Sequence, residues 1–472
     1  MRTDDLGTEA NPLRVAIIGS GPSGFYAAAE LQDQTDVAVQ VDMIDRLPTP
    51  FGLVRLGVAP DHQKIKSVTK AYDKIAAHPD FRFYGNVDFG RDVTHADLSP
   101  YYHALIYATG APLARRLGIP GDHLPGSRSA TNVVAWYNGH PDFVHLGLDL
   151  SHERAMVVGN GNVAMDVARI FGAPPEYLAT TDIADHALEA LRESRIREVL
   201  VLGRRGPAQA AFTPKELKEL GEIPGLDVIV DPAELELDAA SRASLEGPGS
   251  RNRATNVEVL REYAEREPTG AERRIVFRFL VSPIEILGSE RVERVVLARN
   301  ELVHATDGSQ RARQTDMTET IEAGIVFRAI GYQGAPLQSV PFDAMAGVVP
   351  NESGRVVHLS TGDTVPGEYV VGWIKRGPQG VIGTNKADAQ ETVACLMEDF
   401  AAGHLDKPDV PPRAVLERLL RERREDLMTY DDWLVVDEIE REKGAAVGRP
   451  RVKFTSVDAV TEAARERRSA PR

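Results

Sequence analysis

The chain has 472 residues and 42% apolar content, enough for two or three ordinary globular cores. Its 55 basic against 70 acidic side chains give a formal charge of −15, which argues against a nucleic-acid binder; the single cysteine, Cys395, excludes an internal redox disulfide and leaves any iron–sulfur cluster to another polypeptide. No run reaches membrane-span length, and the start Met1-Arg2-Thr3-Asp4-Asp5-Leu6-Gly7 lacks the order of a secretory signal, so a soluble cytoplasmic protein is expected.

Residues 13–19 read as a buried strand, and a helix over 22–32 follows through Gly19-Ser20-Gly21-Pro22-Ser23-Gly24. In such a turn the first glycine permits the bend, the second admits a pyrophosphate, and the third lets helix pack on strand. The helix N-terminus offers free N–H groups, and Ser23 adds a hydroxyl. Asp45 closes a second strand over 38–45, where it would accept from ribose hydroxyls. Residues 48–62, with Pro48, Pro50 and Pro60 around Phe51, Leu53 and Val54, read equally as a rigid wall for a flavin ring or as a packed surface loop. Ile65, Val68, Tyr72, Ile75 and Ala76 predict a helix within 62–77, which Asp61 would cap; His62 reads there first as a structural residue. Strands over 81–86 and 103–110 extend a doubly wound sheet.

The pattern then restarts. A strand over 154–159 leads through Gly159-Asn160-Gly161-Asn162-Val163-Ala164 into a helix over 162–171. An insertion follows, with Pro174-Pro175 and a helical stretch at 184–194. The strand 197–203 then ends in Arg204-Arg205, where an NAD site would place an acid. Guanidinium groups there suit the 2′-phosphate of NADP. Thr213, Pro214 and Glu216 make a capping box, the alternative being Glu216 in a nicotinamide pocket. Residues 231–275 read as peripheral, and strands at 274–280, 294–299 and 325–330 close this unit. From Gly331 the chain returns to the first unit, with a strand at 369–372, a loop at 373–383 and a helix over 385–402. Past Pro408 an extension carries Trp433 and a Gly/Pro-marked stretch at 444–450, and residues 465–472 read as frayed.

The fold class expected is α/β, two Rossmann-like three-layer nucleotide-binding domains with the NADP domain inserted into a discontinuous FAD domain. The division falls at 1–115 and 334–472 for FAD, with an extension from about 405, and 116–333 for NADP.

At this point the residues resemble the adrenodoxin reductase-like ferredoxin–NADP reductases. The matching stretches are 15–28, 50–62, Tyr84-Gly85-Asn86-Val87, 156–170, 202–217, Ile330-Gly331-Tyr332 and 371–384. The most specific are Phe51-Gly52-Leu53-Val54-Arg55 with Gly57-Val58-Ala59-Pro60-Asp61-His62, and Gly372-Trp373 with Lys375-Arg376-Gly377-Pro378 and Gly380-Val381-Ile382. The resemblance implies FAD contacts at Ser23, Asp45, Leu53, Val87, Trp373, Gly380, Val381 and Ile382, beside the fingerprint Gly19, Gly21 and Gly24. It implies NADP(H) contacts at Asn160, Gly161, Asn162, Val163, Arg204, Arg205, Glu216 and Gly380. The family more often has glutamate where this chain has Asp45. His62 and Glu216 become expected pocket residues that position nicotinamide or relay protons, and no metal is expected.

The activity implied is hydride transfer from NADPH to FAD, then single electrons to a ferredoxin-type iron–sulfur protein. Backbone N–H groups of Gly380-Val381-Ile382, just ahead of a helix, would favour negative charge on the flavin. Lys375 and Arg376 are the cations expected to dock the acidic partner. A quinone reductase or flavin monooxygenase, and a non-enzymatic nucleotide-bound sensor, are the alternatives.

Overall fold

A computed structural model describes residues 5–247, 249–304, 310–405 and 410–469. Residues 1–4, Pro408 and the last three residues of the stretch expected to fray lie outside the described residues.

The first sheet has seven strands, built around Leu13–Ile18. That strand pairs in parallel with Val39–Asp45 on one side and Ala104–Tyr107 on the other. Phe81–Gly85 extends one edge, and Thr364–Val370 joins Ala104–Tyr107 in parallel from the far part of the chain. Side chains alternate along a strand, so Val15 and Ile17 face one layer and Ala16 and Ile18 the other. The first layer holds helices Pro22–Gln32 and Thr384–Ala401, and the second holds helix Arg413–Arg423 with Leu416 and Leu420. Burial on both faces explains why these strands read as continuous apolar runs.

The second sheet has six parallel strands in the order Ser127–Ser129, Ile325–Arg328, Arg154–Val158, Glu198–Gly203, Arg273–Phe279, Leu226–Val230. One face carries helices Ala130–Tyr137, Asn162–Gly172 and Arg251–Glu265. The other is covered by β structure, an antiparallel sheet of Val281–Leu287, Arg294–His304 and Gln310–Glu322. Two sequence expectations change here. The strand expected at 294–299 belongs to this covering layer, because its apolar face (Val295, Leu297) packs on Met156, Leu200 and Val326. The stretch 231–275 is not all peripheral, because Val257, Val259, Leu260 and Tyr263 are buried on one face of Arg251–Glu265, at helical spacing.

The two sheets are joined where Leu113–Ala114 pairs antiparallel with Tyr332–Gln333, so the outgoing and returning chains cross side by side. The extension packs on the first sheet: Arg413 donates to the Val41 and Asp80 carbonyls, and Trp433 meets Phe51 edge-on at 5.6 Å. Helix Val457–Ser469 runs through residues expected to fray, and Arg468 pairs with Asp432 at 3.2 Å.

Candidate functional site

The first fingerprint is a crowded turn. Gly19 has φ +109°, and a Cβ there would lie 2.6 Å from the Ala108 carbonyl oxygen. A Cβ on Gly24 would lie 2.3 Å from the Gly19 oxygen, so only glycine lets helix Pro22–Gln32 start this close to the strand. Gly21 differs: its backbone is extended (φ −78°), and a Cβ would meet nothing within 4 Å. Neither conformation nor neighbours within the chain require glycine there. The space it leaves lies at a helix N-terminus, which favours a phosphate.

Asp45 reaches the same turn. Its Oδ2 accepts from the Ser20 N–H and hydroxyl at 2.8 and 2.6 Å, and Oδ1 accepts from Leu47 N–H. Val87 is buried and donates its N–H to the Asp45 carbonyl at 2.9 Å. The 48–62 segment lies directly on the turn, because a Cβ on Gly52 would come 2.9 Å from the Gly21 Cα. Leu53 opens the one-turn helix Leu53–Leu56, and Phe51, at φ +83°, is held by Phe25, Tyr72 and Trp433. The segment is thus seated on the first glycine turn, and its apolar side chains anchor it there.

From the other side, Gly372 brings the 373–382 loop to the turn: a Cβ there would lie 2.5 Å from the Ser23 hydroxyl oxygen. The Trp373 ring lies 5.4 Å from that of Tyr332, and its indole N–H donates to the Gln379 carbonyl. Val381 is 63% exposed, unusual for its type, while Ile382 packs against the core. Val381 N–H is taken by the Thr384 hydroxyl at 3.1 Å, which leaves the Gly380 and Ile382 N–H groups without a partner among the described residues.

Lys375 and Arg376 are not a docking surface. Lys375 is 8% exposed, with its ammonium 2.6 Å from Glu391 and 3.3 Å from Asp388, and Arg376 pairs with Asp388 at 3.1 Å. Both cations are spent neutralising the start of helix Thr384–Ala401, since a buried charge needs a partner.

The second fingerprint repeats the logic with looser walls. Gly159 has φ +134° and its Cβ would lie 2.3 Å from the Ala329 oxygen, whereas Gly161 is extended (φ −100°) with nothing within 4 Å. Ala164 is fully buried and fits. The Asn160 carbonyl accepts from Ala211 and Phe212 N–H, and Asn162 Oδ1 accepts from Thr213 N–H at 2.8 Å, so both asparagines hold the 211–213 loop; Val163 is half-buried beside them. Arg204 is exposed and Arg205 half-buried, and neither has an acidic partner among the described residues. Burial, then the neighbouring Arg204 charge, lower the Arg205 pKa, a repulsion that a dianionic phosphate would relieve.

Residues of both units meet in a charged cluster centred on Arg169, whose side chain is 1% exposed. Its guanidinium meets Asp61 at 2.6 Å, Asp166 at 2.6 Å, Glu216 at 3.2 Å and His62 Nε2 at 2.9 Å. His62 Nε2 also lies 3.0 Å from Glu219 and 3.4 Å from Glu216. Burial, then Asp166, raise the Glu216 pKa against the opposing pull of His62 and Arg169, and burial likewise raises Asp166. Burial would raise Asp61 too, but Arg169 outweighs it and holds that carboxylate low.

Asp61 therefore does not cap the following helix; its carboxylate is turned to Arg169 and the Tyr177 hydroxyl. The capping box at Thr213 is half made: the Thr213 hydroxyl accepts from Glu216 N–H at 3.5 Å, while the Glu216 carboxylate faces the cluster. His62, Glu216 and Glu219 have the spacing of metal ligands, but Arg169 already places a fixed cation 2.9 Å from His62. Sequence reasoning brought His62 and Glu216 to the site and missed Asp166, Arg169 and Glu219. The available signal was spacing: Asp166 and Arg169, like Glu216 and Glu219, stand three apart on one helix face.

Residues 13–195 match the family model described as Pyridine nucleotide-disulphide oxidoreductase. The chain is 50% identical over 448 residues to the NADPH-ferredoxin reductase FprA of Mycobacterium leprae, covering 94% of this chain and 96% of that one. It is 41% identical over 469 residues to the mitochondrial NADPH:adrenodoxin oxidoreductase of Salvelinus fontinalis, covering 97% of this chain and 92% of that one. A solved structure of Mycobacterium tuberculosis FprA in complex with NADPH superposes with a TM-score of 0.90 at 49% identity, over 96% of this chain and all of that one. Two glycine turns in one chain, with a buried charged cluster joining residues that follow each of them, in a chain this similar over nearly its whole length, make it a member of the family of NADPH–ferredoxin reductases that includes adrenodoxin reductase.

Proposed function

We infer that this protein is an FAD-dependent NADPH–ferredoxin reductase that passes electrons from NADPH to a small iron–sulfur carrier. The observation that carries the reading is the pair Gly21 and Gly161, glycines with ordinary backbone angles and empty space where a side chain would stand. The opposite chemistry beside them, Asp45 at one turn and Arg204 with Arg205 at the other, supports two nucleotides, of which the second carries an extra phosphate. FAD supplies, when bound, the step from a two-electron hydride to single electrons.

The residues' own work is placement and electrostatics. The N-terminus of helix Pro22–Gln32 would hold the FAD pyrophosphate, with Gly19, Gly21, Ser23 and Gly24 shaping the approach and Asp45, bonded to Ser20 at the same turn, at the strand end that would meet the ribose. Leu53, Val87, Trp373, Gly380, Val381 and Ile382 would border the ring, and the N–H groups of Gly380 and Ile382, without a partner among the described residues, would favour negative charge there. Asn160, Gly161, Asn162 and Val163 receive the NADP pyrophosphate, Arg204 and Arg205 the 2′-phosphate, with Glu216 and Gly380 near the nicotinamide. His62 and Glu216 position the nicotinamide or relay a proton; hydride transfer itself needs neither acid nor base. The FAD unit comprises 1–115 and 334–472, the NADP unit 116–333, and we place the protein in the cytoplasm. No described helix is long and apolar enough to cross a membrane.

Adding NADPH anaerobically to the yellow protein should bleach the flavin band, and a ferredoxin should restore it. An unbleached band would overturn the reading. Turnover with oxygen or a quinone in preference to ferredoxin would redirect it. Replacing His62 and Glu216 by alanine should slow flavin reduction, and unchanged rates would remove their proposed roles.

A further inference from the structure

The two nucleotide units touch at several places, among them the Leu113–Ala114 ladder with Tyr332–Gln333, the Arg46–Asp142 pair, the Arg169 cluster, and the segment 449–455 of the C-terminal extension. Segment 449–455 touches neither glycine turn. Its anchor lies on the FAD side, in helix Tyr430–Ala445. There Glu440, fully buried, takes both arms of the Arg55 guanidinium at 2.5 and 2.7 Å. Glu440 also accepts from the Phe454 N–H at 2.9 Å and from Arg451 at 3.2 Å, so the chain is pinned at both ends of the turn it makes.

On either side of Arg451 the segment reaches the other unit. Arg449 donates to the carbonyls of Thr181 and Ile183 and pairs with Asp185. The Lys453 ammonium lies 3.3 Å from the carbonyl and side-chain oxygens of Asn138 and 3.5 Å from Asp182. Asp182 meets Lys66, of the FAD side, at 2.6 and 2.8 Å. One carboxylate of the NADP unit is thus gripped by two ammoniums, one from each part of the FAD unit, with Asp182 and Lys453 at 2% and 1% exposure. Asp182 N–H reaches the Pro60 carbonyl, two residues from His62 and in the segment that lies on the first glycine turn.

A buried ionic knot contributes little net stability over apolar packing; what it can supply is register, because each misplacement leaves a buried charge unpaired. Burial, then Lys66, lower the Lys453 pKa, with Asp182 opposing, so two ammoniums compete for one carboxylate.

We propose that residues 449–455 form an interdomain clamp, and that Asp182, held between Lys66 and Lys453, is a positioning residue that fixes the NADP unit against the flavin unit in the orientation hydride transfer requires. The proposal rests on the functional reading above. Arg204 and Arg205 lie in one unit and should bind NADP(H) whatever the clamp does, so affinity and reaction geometry come apart.

The test uses the FAD-loaded enzyme with Asp182→Asn and, separately, Lys453→Met. Measured are FAD content, NADP+ affinity by titration, the limiting rate of flavin reduction by NADPH, and the long-wavelength absorbance that nicotinamide gives when stacked on reduced flavin. We expect FAD content to hold, NADP+ affinity to stay within about twofold, the limiting rate to fall about tenfold or more, and the stacking band to weaken. A wild-type rate and band in both variants would overturn the clamp, as would rate and affinity falling together. Should Asp182→Asn not fold, Lys453→Met with Arg449→Ala carries the same test, and a drop in Tm with no change in rate or band would leave only a stability strap. A wild-type enzyme that NADPH does not reduce would overturn the functional reading itself, whereas variants that match wild type overturn only the clamp.

Discussion

The two glycine turns are built from the same pattern and differ in how tightly the rest of the chain closes on them. The first is sealed. Gly24 admits no Cβ because the Gly19 oxygen lies 2.3 Å away, Gly52 presses on Gly21, and Gly372 presses on Ser23. The second tolerates Ala164, is met by the 211–213 loop held through Asn160 and Asn162, and ends in two arginines without acidic partners among the described residues. A sealed turn suits a group that stays, and an open one suits a coenzyme that must leave after each turnover.

The largest expected effect falls on the Arg169 cluster. Arg169→Met leaves Asp61, Asp166 and Glu216 facing one another without their shared cation, and should cost about 3–5 kcal/mol of unfolding free energy. Denaturant melts check this; a loss under 1 kcal/mol would mean the carboxylates simply take up protons. Next, Gly24→Ala should yield protein that retains little FAD, while its counterpart Ala164→Gly keeps nucleotide binding and costs only about 0.5–1 kcal/mol of helix stability. Equal FAD retention by Gly24→Ala and wild type would break the contrast between sealed and open turns.

Removing Arg204 or Arg205 should weaken NADPH binding by about 1.5–3 kcal/mol, roughly 10–100-fold, and leave NADH binding almost unchanged. A parallel loss for NADH would detach these arginines from the 2′-phosphate. The smallest effect is a pH slope. Lys453 and Lys66 outweigh burial and pull Asp182 down to about 2 from 3.8. Its contribution is therefore complete above about pH 4 and is lost as pH falls towards 2, so Asp182→Asn should flatten stability over that window. An unchanged acid slope would show that other carboxylates dominate it.

The sequence was most legible where the physics is local. Buried parallel strands write apolar runs, a glycine turn writes its own spacing, and Asp45 and Arg204-Arg205 stand at strand ends whose distance from the turns is fixed by the βα unit. It was least legible where partners meet from far along the chain. Val295 and Leu297 look like any strand, and only the third dimension makes them the lid of the second sheet. Lys375 and Arg376 looked like docking cations until Asp388 and Glu391 proved to lie beside them.

By itself, then, the sequence determined the two glycine turns and the strands and helices that flank them, because periodicity and backbone freedom act within a dozen residues. Only the tertiary structure decided that Asp61 and His62 meet Arg169, and that Asp182 sits between Lys66 and Lys453. Pairing of buried charges is settled by which surfaces the fold brings within a few ångströms, and no spacing along the chain records that.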